Sequence, residues 1–146
     1  KDFLLGDRGM AELVDFHTRR KLQLMAHSPE IYREMGRLVA EGKALVRAEL
    51  LDRYQELLLR ALSLHATIKK NTNVLSHVMG YFKQQLTSEE KAELLEVIKS
   101  YHDGLVPLIV PVTLLKHYVR KYDQEYLQKQ TYLSPHPLEL MLRNHV

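Results

Sequence analysis

Three polar or aromatic side chains at four-residue intervals, Asn73, His77 and Tyr81, are the pattern in this sequence most suggestive of chemistry. Residues four apart lie on the same face of an α-helix, so a helix here would carry an amide, an imidazole and a phenol in one stripe. Apolar residues for a separate core face occur in the same segment, from 74 to 82. We therefore interpret the stripe as a candidate binding surface whose side chains contact a base or a sugar.

Basic residues accompany this stripe along the chain. Lys69 and Lys70 precede it, Lys83 follows it, and residues 117–122 again mix cations with aromatic rings. Cations bind phosphates, and aromatic or imidazole rings stack on unpaired bases, so the combination is the one that RNA recognition uses.

Each of these groups also has a structural explanation. Asn71 and Asn73 can cap the helix that they precede, and the basic run 19–21 can be a solvated helix face. The tyrosines can lie in the core with their hydroxyl groups at the surface. The residue types alone leave these alternatives open.

Other reactive residue types give weaker patterns. None of the eight histidines lies three or four residues from another, so no helix displays a paired metal site. The acidic run 89–96 falls where a capped helix would begin, and acids stabilise the positive end of a helix dipole. The absence of cysteine excludes thiolate and iron–sulfur ligation within the chain, and no nucleophile-elbow or phosphate-loop string is present. We predict no catalytic residue, no metal and no cofactor in this chain.

Length and composition favour one soluble domain. A chain of 146 residues is long enough for one substantial core. Its net charge of +3 and pI of about 9.1 permit a nucleic-acid partner without requiring one. The apolar run 105–115 contains two prolines and is too short to span a membrane. We expect a cytoplasmic protein with no membrane partner, comprising a single domain over 1–146; an alternative is that it forms part of a larger protein or is its partner.

Apolar spacing and capping signals predict an all-α fold, a single compact bundle of about seven to eight helices. Ser28 and Pro29 indicate one helix start, and Thr87 with Glu90 indicates another through a capping box. The predicted helices span residues 9–25, 29–42, 44–66, 74–86, 88–104, 111–122, 124–130 and 137–143.

Four long strings closely resemble the YbgA-like family, which has been catalogued as a domain of unknown function. These strings cover residues 16–40, 71–101, 107–122 and 132–144, and the patterns NTNVLxHxxGYFK and PHPxELxLRN within them are specific. The polar positions that match the family are His17, Lys21, His27, Asn71, Asn73, His77, Tyr81, Lys83, His117, Tyr118, His136 and Arg143.

The resemblance implies a role in RNA metabolism. Members of the family occur alone or fused behind an iron–sulfur thiouracil desulfidase domain, and the fused members resemble enzymes that remove sulfur from 4-thiouridine in tRNA. The resemblance implies that the YbgA-like part holds the tRNA, while an iron–sulfur desulfidase domain or chain supplies the chemistry.

Our leading hypothesis is therefore a non-catalytic module that binds structured RNA of the tRNA type. The candidate RNA-binding residues are Lys21, Lys69, Lys70, Asn71, Asn73, His77, Tyr81, Lys83, His117, Arg120, Lys121, His136 and Arg143. One alternative is a protein-interaction or scaffold domain. Another is an enzyme whose pocket contains His77, Tyr81 and His117.

Overall fold

The computed structural model describes the backbone of residues 6–134 and the side chains of residues 9–134. The chain folds into two compact units, Lys1–His65 and Ala66–Val146. The prediction of one domain over the whole chain stays a prediction.

Unit 1 contains four α-helices and a 3₁₀ turn. These are α1 (Gly6–Arg19), α2 (Lys21–His27), α3 (Pro29–Ala40), the 3₁₀ turn (Gly42–Ala44) and α4 (Arg47–Ser63). The single helix predicted over 9–25 is wrong, because the backbone leaves the helical region at Arg20, with φ −107° and ψ 9°. The separate α2 buries Leu22, Leu24 and Ala26.

The start of α3 lies where the sequence predicts it. The Ser28 hydroxyl oxygen accepts a hydrogen bond from the backbone N–H of Ile31 at 3.1 Å, and Pro29 occupies the first turn, where its missing N–H is harmless. This cap directs α3 against α2 and α4. The core of unit 1 consists of Leu13, Leu24, Ile31, Met35, Leu38, Leu50, Tyr54 and Ala61.

Unit 2 is built on three longer helices and one short one. These are α5 (Ile68–Gly80), α6 (Ser88–His102), α7 (Ile109–Lys121) and α8 (Glu125–Gln128). The helices α5, α6 and α7 pack against one another, and α8 packs against α7. Buried apolar side chains of α5, including Val74, Leu75 and Val78, face this core.

The predicted start of α5 is wrong by about two turns. Thr67 is the N-cap, and its hydroxyl oxygen accepts a hydrogen bond from the backbone N–H of Lys70 at 3.1 Å. Asn71 and Asn73 lie inside the helix, so the alternative that they cap it is also wrong. The helix ends at Gly80, and residues 81–85 form turns.

The predicted capping box of α6 is confirmed. The Thr87 hydroxyl accepts from the Glu90 backbone N–H at 3.1 Å, and the Glu90 carboxylate accepts from the Thr87 N–H at 2.9 Å. After the helix, Gly104 has a φ of +79°, a conformation that favours glycine.

The described residues form helices, turns and loops without a strand, so the prediction of an all-α fold is confirmed. Within this part of the chain, no helix is both long and apolar enough to cross a membrane. The predicted helix over 137–143 lies outside the described residues.

Candidate functional site

The predicted stripe forms on α5 and extends one turn further toward the N-terminus than predicted. Lys69, Asn73, His77 and Tyr81 follow one another at four-residue intervals, and all four side chains are exposed. We call this set the α5 stripe. Its 12-residue span corresponds to roughly 18 Å at the helical rise of about 1.5 Å per residue.

Three aromatic rings meet at the C-terminal end of the stripe. The His77 and Tyr81 rings are 5.4 Å apart at an interplanar angle of 88°, and the Tyr81 and Tyr126 rings are 5.3 Å apart at 31°. We call these three residues the Tyr81 cluster. Edge-to-face and tilted contacts of this kind hold a ring in place while part of it stays accessible, and Tyr81 is 37% exposed.

A polar groove of about 410 Å³ adjoins Tyr81. It is lined by residues 80–85 and by Gln124, and we call it the Tyr81 groove. The side-chain N–H of Gln124 donates a hydrogen bond to the side-chain oxygen of Gln85 at 2.5 Å. Lys83 also lines the groove, so a cation, a phenol ring and three glutamine amides border one space.

The charge around α5 differs from that around α6. No acidic residue occurs between Glu56 and Glu89, and α5 itself carries Lys69 and Lys70. In contrast, α6 carries four glutamates between residues 89 and 96. An anion that approaches the α5 stripe therefore meets no carboxylate from its own segment of chain.

The basic residues of α7 lie in a different electrostatic environment. His117, Arg120 and Lys121 are exposed, but the Lys121 ammonium donates to the Glu90 carboxylate at 2.6 Å. The Tyr122 hydroxyl donates to the same carboxylate. The bonds from Lys121, Tyr122 and the Thr87 backbone lower the pKa of Glu90 to about 2. Lys121 is therefore engaged within the protein.

A second carboxylate of α6 binds α7 in the same way. The Tyr118 hydroxyl donates to the Glu93 carboxylate at 2.9 Å, and burial together with this carboxylate raises the pKa of Tyr118 to about 12. The ring of His117 lies 5.3 Å from that of Tyr118. His117 is thus associated with α7, and it does not line the Tyr81 groove.

Asn71 lies in the core of unit 2. Its side chain is only 1% exposed, and its amide oxygen accepts a hydrogen bond from the Tyr132 hydroxyl at 2.7 Å. A buried polar group needs such a partner, and this bond ties α5 to the turn after α8. A side chain in this position is not accessible to RNA, so we leave Asn71 out of the candidate surface.

Unit 1 contains a second group of one histidine and two tyrosines, in which His17 and Tyr54 are buried and Tyr32 is half-buried. The ring of His17 stacks on that of Tyr32 at 5.0 Å and 9°, and its Nδ1 forms a 3.0 Å hydrogen bond with the Tyr54 hydroxyl. We call these three residues the His17 cluster. His17 is 8% exposed, and burial lowers its pKa and raises that of Tyr54.

The remaining predicted residues are more scattered. Lys21 lies half-buried on α2 in unit 1, whereas Lys70 is half-buried on α5 in unit 2. His136 and Arg143 lie outside the described residues. In the described part of the chain, no group of three or more potential ligand side chains is arranged to hold a metal ion.

Sequence reasoning missed three residues of this site: Gln85, Gln124 and Tyr126. Gln85 follows Tyr81 by four residues, so the spacing of the stripe could have indicated it. Gln124 and Tyr126 lie 43 and 45 positions after Tyr81, and no local spacing rule links them to it. The packing of α8 beside α7 brings these two residues to the site. The signal available for Tyr126, an aromatic residue in a short polar helix, is weak.

Comparison with known proteins gives the family. The model of the family described as "Protein of unknown function (DUF1722)" matches residues 21–137, and the chain therefore belongs to this family. The chain is 35% identical over 133 residues to "Uncharacterized protein YbgA" of Escherichia coli (strain K12), an alignment that covers 90% of this chain and 79% of that protein. No solved structure gives a significant match.

Proposed function

We propose that this protein is a non-catalytic RNA-binding module whose partner is a structured RNA of the tRNA type. The observation that carries the proposal is the α5 stripe, in which a lysine, an amide, an imidazole and a phenol are exposed in one row. RNA binding requires cations for phosphates and flat or hydrogen-bonding groups for bases, and the stripe offers both.

The charge distribution supports the same partner. Lys69 and Lys83 are exposed near the two ends of the stripe, in a stretch of chain that contains no carboxylate. A polyanion would gain counterion-release energy at these cations, and no acid of the same stretch of chain would repel it. The net charge of +3 is modest, so the partner would be selected by this local patch more than by the whole protein.

The proposed module serves a reaction that takes place elsewhere. By the family resemblance, we propose that it presents tRNA to a desulfidase or to another tRNA-modifying activity, supplied by a separate domain or chain. The cytoplasm, where tRNA is modified, is the location that this proposal requires.

The test is binding of the purified chain to a labelled tRNA, measured by fluorescence anisotropy over a series of salt concentrations. We expect dissociation constants in the micromolar range or tighter, and a linear fall of log affinity with log salt. Duplex DNA of equal length should compete poorly, since it offers no unpaired bases to the stripe.

Two charge reversals provide a matched comparison. Lys69→Glu places an acid in the α5 stripe and should weaken tRNA binding several-fold, and it should also reduce the salt slope. Lys99→Glu makes the same change at an exposed position on α6, where Lys99 pairs with Asp103 at 2.7 Å, and it should have little effect. Equal effects of the two reversals, or absence of tRNA binding by the parent, would refute the proposal.

A second candidate, a protein-interaction domain, is favoured by one observation in unit 1. Leu59 and Leu62 lie three residues apart on α4 and are 68% and 43% exposed. Exposed apolar side chains on one helix face are typical of a surface that another protein covers. A defined protein that binds the purified chain, and is released by Leu59→Glu with tRNA binding unchanged, would support this candidate.

A further inference from the structure

The Tyr81 groove contains a pair of amides with unused hydrogen-bonding capacity. A glutamine side chain has one oxygen acceptor and one NH₂ group with two donors. The bond between Gln124 and Gln85 uses the oxygen of Gln85 and one N–H of Gln124. It leaves the NH₂ group of Gln85 and the oxygen of Gln124, which are a donor and an acceptor on neighbouring side chains.

This pair of one donor and one acceptor is complementary to the hydrogen-bonding edge of one class of ligand, the nucleobases. The Watson–Crick edge of every nucleobase has a donor and an acceptor next to each other, such as N3–H and O4 of uracil. In a duplex these atoms are occupied by the opposite base, so only an unpaired base can use them. The amide pair therefore suits a base that has left its helix.

The other groups around the groove suit the rest of a nucleotide. The Tyr81 ring offers an aromatic surface at one wall, and Lys83 offers a cation that can bind a phosphate. The contacts with His77 and Tyr126 fix the Tyr81 ring, so little freedom is lost when a base stacks on it. A volume of about 410 Å³ lies within the range of small-molecule sites.

We infer that the Tyr81 groove binds one unpaired nucleotide of the RNA. Its base stacks on Tyr81, its Watson–Crick edge is held by Gln85 and Gln124, and its phosphate is bound by Lys83. This inference rests on the proposed RNA-binding function and narrows the partner to RNA with an unpaired segment. It also assigns a role to two glutamines that carry no charge and that sequence motifs do not mark.

The experiment compares three RNAs that differ only at one end. The first is a blunt RNA duplex, the second is the same duplex with a short single-stranded uridine tail, and the third has N3-methyluridine in that tail. The methyl group removes the donor of the Watson–Crick edge and leaves the ring free to stack. Affinities for the full chain are measured by anisotropy at one salt concentration.

We expect the uridine tail to strengthen binding by roughly tenfold or more relative to the blunt duplex. The tail with N3-methyluridine should bind several-fold more weakly than the uridine tail, because the contact with the Watson–Crick edge is lost while stacking remains. The double variant Gln85→Leu/Gln124→Leu, which keeps the side-chain size and removes both amides, should not distinguish the two tails. The matched control is Gln128→Leu, which makes the same change on α8 outside the groove and should behave as the parent does.

The outcomes separate this inference from the function on which it rests. If the tailed and blunt duplexes bind equally, or if methylation has no effect on the parent, the inference is overturned while RNA binding stands. If no RNA binds, tRNA included, the proposed function itself fails. The methylation result uses the parent protein alone, so it decides the question even if the double variant does not fold.

Discussion

The two units contain the same three residue types in two different environments. In the His17 cluster of unit 1, two of the three side chains are buried: His17 is 8% exposed, and it is hydrogen-bonded to the hydroxyl of the buried Tyr54. In the Tyr81 cluster of unit 2, His77 and Tyr81 are both exposed, and their rings meet edge to face. One histidine and two tyrosines can therefore serve as part of a core or as a surface.

Residue type alone does not identify a binding site in this protein, whereas solvent access does. His17 and His77 both occur in strings that resemble the family, yet only His77 is accessible to a macromolecule. Burial of a histidine has a cost that its hydrogen bonds must offset, and exposure leaves the same ring available to a ligand. Substitutions in the two clusters should therefore affect different properties.

The largest difference should be in stability. Tyr54→Ala should lower the free energy of unfolding of unit 1 by about 3–5 kcal/mol, because it leaves a cavity in the core and removes the partner of His17. Tyr81→Ala should cost about 1 kcal/mol or less, since its ring is partly exposed. Urea unfolding followed by circular dichroism measures both changes in the free energy of unfolding. Similar losses of stability in the two variants would contradict the expected difference between the two clusters.

RNA binding should be affected more by substitutions at Tyr81 than by substitutions at Tyr54. Tyr81→Ala should weaken tRNA binding by about 1–3 kcal/mol if a base stacks on the ring, and Tyr81→Phe should retain most of the affinity because it keeps the stacking surface. Tyr54→Phe is the matched control, since it changes a tyrosine that is buried. A folded Tyr81→Ala protein that binds tRNA as tightly as the parent would remove Tyr81 from the site.

The stability of unit 1 should depend on pH through His17. Burial lowers the pKa of His17 below its usual 6.5, so the unfolded chain binds the proton more readily than the folded one. The stability that the neutral, buried His17 contributes is therefore fully present above about pH 6.5. It is lost as the pH falls below that value toward the pKa of His17 in the folded protein.

Parallel unfolding curves of the parent and His17→Gln between neutral and mildly acidic pH measure this effect. The parent should lose more stability than the variant as the pH falls, because only the parent has the buried imidazole. If the two proteins lose stability equally, the buried position of His17 has no influence on the pH dependence.

The smallest expected effect concerns Lys121, which is exposed but already forms an ion pair with Glu90. Lys121→Ala should weaken tRNA binding less than Lys69→Ala does, because Glu90 already holds the Lys121 ammonium. In a Glu90→Gln background, which keeps a capping-box residue, the effect of Lys121→Ala should increase. If Lys121→Ala is the more damaging change in the parent, the binding surface is centred on α7 and the proposed stripe is wrong.

Local signals predicted much of the helical framework. The cap at Ser28, the capping box at Thr87 and the all-α class are confirmed, since each depends on neighbours in sequence. The break at Arg20 was missed because no proline or glycine marks it. The start of α5 was missed because its cap, Thr67, precedes the polar patch. The candidate site was predicted in part, through the i, i+4 spacing that runs from Asn73 to Tyr81.

The sequence by itself determined that the chain forms helices, which of their faces are apolar, and that α5 carries a polar stripe in a segment without acidic residues. Only the tertiary structure decided that Asn71 is a core residue bound to Tyr132, that Lys121 is held by Glu90, and that Gln85 and Gln124 meet beside Tyr81. Helical periodicity acts over four residues and can be read from spacing. Contacts between residues 31 to 61 positions apart depend on how whole helices pack, which no local pattern encodes.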